Sequence, residues 1–285
     1  MPDRELVSII AVRETCAMRR FARILAVLGL CGIPAIAQIH APINPPALYE
    51  KGMNALTGTG FSRSDLTGVD YIRQSADLGY APAQSAMGYF EEVGFFAPRE
   101  PEQAAAHYAK AAAQGDRVAE WVLGRMYFTG IGQARNLGEA ERWLTKAANL
   151  GDPFGAELLG SVKLERNDKA AAASAFRKAA EQGLPFAQQQ LGLLLKDGQG
   201  VPIDKSEAYV WLLLSFDGGI QATVNDLKQL EAELGNTKVE TAKTRSRELE
   251  ANVSRTVVSR GCTGWQGELA SVPATPPPDL QPFCR

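Results

Sequence analysis

Ala119-Glu120-Trp121-Val122-Leu123-Gly124-Arg125-Met126-Tyr127-Phe128-Thr129-Gly130-Ile131-Gly132 opens a stretch that closes on Lys146-Ala147-Ala148-Asn149-Leu150-Gly151, and its landmarks recur along the chain. Gly52, Gly88, Gly124, Gly160 and Gly192 are spaced by 36, 36, 36 and 32 residues. A second series, Gly79, Gly115, Gly151, Gly183 and Gly219, is spaced by 36, 36, 32 and 36. Self-similarity at such a period marks an array of supersecondary units, none of which buries its apolar face alone. Five units fit residues 47–219. The fourth is four residues short between its two glycines, where Lys163-Leu164-Glu165-Arg166-Asn167-Asp168 replaces a longer connection.

Other positions fall into register on this frame. Five residues before the first glycine stand Ala47, Ala83, Ala119, Gly155 and Ala187, and six after it stand Gly58, Gly94, Gly130, Arg166 and Gly198. Gly60, Gly132 and Gly200 complete a Gly-x-Gly turn in three of the units, and Lys-Ala-Ala precedes the closing glycine at 110–112, 146–148 and 178–180. Small residues at helical spacing let two backbones approach, and turn glycines accept the positive φ that reverses the chain between antiparallel helices. Each unit therefore reads as a helical hairpin whose closing glycine ends the second helix. Stacked hairpins give an all-α fold, an α-solenoid of helix-turn-helix units.

The run Ala119-x-x-x-Leu123-Gly124-x-x-Tyr127-x-x-Gly130-x-Gly132, followed by Glu139-Ala140-x-x-Trp143-x-x-Lys146-Ala147-Ala148-x-x-Gly151, resembles the Sel-one-like repeat, a relative of the tetratricopeptide repeat. Residues 187–217 are similar. The resemblance implies a right-handed superhelix of helix pairs that binds proteins or peptidoglycan-related partners as an adaptor, with the first helix of each hairpin lining the inner curve. It also implies that catalysis is the exception.

Composition narrows the function. With 45% hydrophobic and 22% charged residues the chain is that of an ordinary globular protein, and 30 Lys+Arg against 32 Asp+Glu leave a net charge of −2. That balance lacks the basic face a nucleic-acid binder needs to neutralise phosphates. Residues 1–37 read as a secretory signal peptide: Arg19, Arg20 and Arg23 precede a charge-free run from Ile24 to Ile33, too short to span a bilayer, and Ala35-Ile36-Ala37 suits the peptidase. The mature chain is then expected to begin at Gln38, in the periplasm or outside the cell, with no further membrane attachment. Asp3, Glu5 and Glu14 do not belong in a basic leader, so Met18 reads as the true start. Leu28-Gly29-Leu30-Cys31 approaches a lipid-attachment box, against which stands the large Leu30.

Residues 220–260 are expected to form C-terminal capping helices. Leu227, Leu230 and Leu234 share one face of the first; Thr237-Lys238-Val239-Glu240 has the form of a capping box opening the second. Val239, Ala242, Ser246, Leu249, Val253 and Val257 then make one apolar stripe. Such a stripe closes the exposed end of an array; the alternative is a short coiled coil. Residues 261–285 form a Pro-rich tail in which Cys262 and Cys284 are the two cysteines left after leader removal, and in an oxidising compartment they are expected to pair.

Nucleophile and metal motifs are missing: no Ser-x-x-Lys, Gly-x-Ser-x-Gly, His-Glu-x-x-His or phosphate loop occurs. His107 has no Cys, Asp or second His at ligand spacing, and Glu91-Glu92 read as a solvated pair. No catalytic residue, cofactor or metal is expected. What remains is a surface. One residue after the first glycine stand Met53, Tyr89, Arg125, Ser161 and Leu193; three before it stand Tyr49, Ser85, Trp121, Glu157 and Gln189. These columns vary while packing columns stay Ala, Leu or Gly. Tyr49, Met53, Tyr89, Trp121, Arg125, Glu157 and Gln189 are therefore candidate partner-binding residues on the inner curve, Tyr, Trp and Arg being types enriched at binding hot spots. The alternative for the aromatics is a partly buried bridge between neighbouring units, and Trp143 and Trp211 on second helices read as packing residues. The expected function is an exported, monomeric, non-catalytic adaptor for a protein or peptide, envelope-associated partners included. A cell-wall or β-lactam hydrolase and a secreted effector acting on host proteins are the alternatives.

Overall fold

The computed structural model describes residues 43–58, 64–95 and 98–257, with side chains to residue 252. The leader, Cys31, the Pro-rich tail with Cys262 and Cys284, and the stripe residues Val253 and Val257 lie outside the residues whose side chains are described. Among the described residues every regular element is helical. Five hairpins follow one another: α1 (Pro45–Thr57) with α2 (Asp65–Asp77), α3 (Ala81–Val93) with α4 (Pro101–Ala113), α5 (Arg117–Thr129) with α6 (Leu137–Asn149), α7 (Pro153–Glu165) with α8 (Lys169–Ala180), and α9 (Pro185–Asp197) with α10 (Lys205–Asp217). A 3₁₀ turn (Gln221–Thr223), α11 (Val224–Leu234) and α12 (Asn236–Val257) complete the chain.

Local chemistry fixes the helix ends. Asp116, Asn136, Asp152, Asp168 and Asp204 each place a side-chain oxygen on a backbone amide of the first turn, satisfying donors that the helix leaves open. Asp116 Oδ1 accepts from Ala119 N at 2.8 Å and Asp152 Oδ1 from Gly155 N at 2.9 Å. All five closing glycines adopt positive φ, between 80° and 99°. In the shortened fourth hairpin, three residues join α7 to α8 and Asn167 (φ 59°) takes the left-handed conformation. Asn tolerates it better than any residue but glycine.

The first-glycine column has a packing purpose that its position alone does not reveal. A Cβ at Gly124 would lie 2.6 Å from Leu144 Cγ, and equivalent collisions arise between Gly52 and Ile72, Gly160 and Phe176, and Gly192 and Leu212. The first helix thus presents a backbone notch into which a large side chain of the second helix sinks. A second close approach joins neighbouring hairpins: a Cβ at Gly132 would meet Pro101 O at 2.3 Å, so the turn of the third hairpin rests on the start of α4.

Each first helix packs on its own second helix, and those of the second to fifth hairpins pack also on the second helix of the preceding hairpin. First helices also touch one another, α5 with α7 and α7 with α9. α12 lies against α10 and α11, and Val239 and Ala242 join Leu227, Leu230, Tyr209 and Trp211 in one buried cluster. The stripe from Val239 to Leu249 is thereby covered within the chain. Helix α12 starts at Asn236, with Gly235 O accepting from Val239 N at 3.2 Å, so Thr237 lies inside the first turn and is not the N-cap that the capping-box pattern suggested.

Candidate functional site

The seven candidate residues all lie on first helices, and the structure divides them. Met53 is 9% exposed and packs with Leu56 and Ile72; Arg125 is 2% exposed. Neither presents a free side chain, which corrects the reading of both as recognition residues. The reason for Arg125 is electrostatic. Its guanidinium pairs with Glu92, also 2% exposed, on the first helix of the preceding hairpin, and Glu92 Oε2 accepts from the Tyr108 hydroxyl at 3.0 Å. Burial together with Glu92 drives the Tyr108 hydroxyl well above its ordinary pKa. Beside this junction Glu91 Oε2 lies 2.8 Å from His107 Nδ1. Glu91 and Glu92 are thus partnered side chains and not a solvated pair. A carboxylate in a column otherwise held by Leu56, Phe128, Leu164 and Lys196 was the signal that could have found this partner for Arg125.

Tyr49, Tyr89, Trp121, Glu157 and Gln189 are half-buried. Tyr49 meets Tyr80 edge-on at 5.6 Å between ring centroids, bridging to the start of the next hairpin. Trp121 sits 5.4 Å from Phe154, a residue of the fourth hairpin that sequence reading passed over, and the Arg125 guanidinium lies 5.9 Å from the Trp121 ring centroid. Trp121 and Arg125 are therefore together, as their i, i+4 spacing requires. Trp143 and Trp211 are 7% and 2% exposed, in keeping with packing roles.

Glu157 makes a contact of a different kind. Its Oε2 accepts from Ala187 N at 3.1 Å, in the first turn of α9. Ala119 and Gly155 occupy the equivalent position and are capped by Asp116 and Asp152 of their own hairpins; α9 has Leu184 at its N-cap, which offers no oxygen. The carboxylate of the fourth hairpin thus supplies the cap that the fifth lacks. Burial pushes Glu157 up to about 7, and the Ala187 hydrogen bond opposes the rise. Ser85, in the same column, donates to Asp116 Oδ1 at 2.9 Å. Among the described residues no group of three or more His, Cys, Asp or Glu side chains is placed to share a metal ion.

The repeat itself is found in known proteins. The family model of the Sel1 repeat matches residues 45–80, 81–116, 117–152, 159–184 and 185–220. The chain is 29% identical over 167 residues to the uncharacterized protein NMB1327 of Neisseria meningitidis serogroup B, covering 58% of this chain and 34% of that one. It is 32% identical over 147 residues to DAP3-binding cell death enhancer 1 of Rattus norvegicus, covering 46% of this chain and 28% of that protein. The chain thus spans about a third or less of the length of these relatives. Among solved structures, a Sel1 repeat protein from Oxalobacter formigenes superposes with a TM-score of 0.60 at 27% identity, over 72% of this chain and 84% of the other. The protective antigen c5321 of uropathogenic Escherichia coli, which displays the same repeat fold, superposes at 0.51 and 24% identity, over 77% and 56%. Five matched repeats over most of the helical array make this chain a member of the Sel1 repeat family.

Proposed function

We propose that this protein is an exported, non-catalytic adaptor that holds a segment of another protein along the row of first helices. Sel1 repeats commonly serve as protein-interaction scaffolds. The observation that carries the reading here is the half-buried aromatic pair Trp121 and Phe154, which spans two hairpins on the side where first helices touch each other. Partly exposed aromatics on a rigid repeat frame are the type of group that dominates binding energy at interfaces. Export rests on the leader pattern ending at Ala37, and it makes an envelope or extracellular protein the expected partner.

The test is affinity capture from the native envelope with the wild-type chain and with Trp121→Ala, followed by mass spectrometry and measurement of the captured protein's affinity. Loss of binding by Trp121→Ala with unchanged helicity supports the reading. Undiminished binding overturns the assignment of this face, and sustained turnover of nitrocefin or peptidoglycan fragments by purified protein replaces the adaptor with an enzyme.

A further inference from the structure

We propose that the strip made by Trp121, Phe154 and Glu157 is a subsite for a lysine or arginine side chain of the bound protein segment. It deepens the adaptor reading above and rests on it. Phe154 and Glu157 are three residues apart on α7, so they share one helix face, and the Phe154 ring is set against Trp121 of α5 at 5.4 Å. Apolar ring surface beside a carboxylate is what a long cationic side chain requires, since its methylene stem packs on rings while its head meets the acid.

Charge accounting decides the sign of the ligand. The basic residues of α5, α7 and α9 are Arg117, Arg125, Lys163 and Lys196, and each is committed to another carboxylate. Arg117 pairs with Asp152 at 3.8 Å, Arg125 with Glu92, Lys163 with Glu141 at 2.8 Å and Lys196 with Asp226 at 2.5 Å. The hydrogen bond that Glu157 receives from Ala187 N occupies one lobe of one oxygen, whereas an ionised carboxylate has about four acceptor positions. Burial raises its pKa and no cationic group among the described residues lowers it, which is the electrostatic signature of a carboxylate without a counter-ion there. A guanidinium or ammonium supplied by a partner would meet it in a partly desolvated setting, where a charge-assisted hydrogen bond is stronger than in water. Arg125 approaches Trp121 at 5.9 Å with its charge matched by Glu92, which leaves the Phe154 and Glu157 end of the strip to the incoming cation. Phe186, next in sequence to Ala187, is 41% exposed and sets its ring edge-on to Phe176 at 6.3 Å.

The probe is an N-acetylated, amidated Gly-Arg-Gly tripeptide, with the citrulline tripeptide as its uncharged counterpart, titrated into the ¹⁵N-labelled full chain. Saturable shifts of the Trp121 indole N–H and the Ala187 amide are expected with arginine, with affinity at least about tenfold weaker for citrulline and for Glu157→Gln. Glutamine keeps an oxygen for Ala187 N, so the fold is retained, and the citrulline comparison needs no variant at all. Equal binding of citrulline, equal binding by Glu157→Gln, or no shift at these two resonances overturns the subsite. The captured protein separates the two readings. Capture lost by Trp121→Ala but unchanged by Glu157→Gln overturns the cationic subsite alone, and capture unchanged by both overturns the recognition face as well.

Discussion

Arg125 and Glu92, 33 residues apart in sequence, meet as an ion pair in which each side chain is only 2% exposed, and the pair ties the first helix of the third hairpin to that of the second. Removing one partner of such a pair leaves an uncompensated buried charge, at a cost of about 3–5 kcal/mol. Arg125→Ala is therefore expected to destabilise by that amount in urea unfolding. The double variant Arg125→Met, Glu92→Gln keeps an acceptor for the Tyr108 hydroxyl and removes both charges, so it should recover to within about 1–2 kcal/mol of wild type. A loss below about 1 kcal/mol for Arg125→Ala would return the residue to the surface role that its column suggested.

The notch at Gly124 sets two effects against each other. Alanine in place of glycine favours a helix by about 0.5–1 kcal/mol. The added Cβ, 2.6 Å from Leu144 Cγ and 3.2 Å from Leu144 N, forces strain that costs about 1–3 kcal/mol, because the nearest backbone cannot move aside independently. Collision should win, and Gly124→Ala should lower stability by about 1–2 kcal/mol. Combining it with Leu144→Ala should show positive coupling in a double-mutant cycle, the two losses summing to more than the double variant shows. Additivity would mean that the two residues do not share the contact.

The hairpins were legible because their determinants are periodic and local: glycine at the turn and at the close approach, alanine at the helix contacts. The surroundings of the seven candidate residues were legible only in part. Variation within the columns of Met53 and Glu157 suggests freedom from packing, yet a repeat column also varies when each member meets a different neighbour. Arg125 meets Glu92, Ser85 meets Asp116 and Glu157 meets Ala187 N, each across a hairpin boundary. Such pairings depend on which two unlike residues the stack brings together. The repeat period records the spacing and not the pairing, which is also why Phe154 went unnoticed beside Trp121.

Glu120 illustrates the same point in a buried column. In the second and fifth hairpins its position is held by Gln84 and Gln188, whose amides donate to Ala76 O at 3.2 Å and Ala180 O at 3.3 Å. Glu120 is 4% exposed, Oε2 lacks a hydrogen-bond partner among the described residues, and burial raises its pKa. An ionised carboxylate has no proton to give to the equivalent carbonyl of Ala112. Glu120→Gln should therefore stabilise by about 1 kcal/mol at neutral pH. The raised folded-state pKa makes the wild type relatively more stable under acid conditions, so the gain should shrink as pH falls toward the unfolded value. A Tm unchanged or lowered at neutral pH would show that the carboxylate is satisfied as it stands.

Glu157 gives the sharpest dependence on pH. Its pKa is 4.5 in the reference state and about 7 in the folded protein, so between those values the folded chain holds a proton that the unfolded chain has released. The sign follows from linkage: stability attributable to this group is fully present below about pH 4.5 and is lost as pH rises through about 7, a change of about 3 kcal/mol. Glu120 and Asp152 are shifted in the same direction, so the difference between wild type and Glu157→Gln isolates this residue from the total. Unfolding free energies across that range should fall with pH in the wild type by about 3 kcal/mol more than in Glu157→Gln, whose carbonyl still accepts from Ala187 N. Glu157→Ala removes the cap as well and should lose about 0.5–2 kcal/mol relative to glutamine at every pH. Parallel pH profiles for wild type and Glu157→Gln would show that water reaches the carboxylate, and with it the premise that α9 is capped from the preceding hairpin by a desolvated acid would fall.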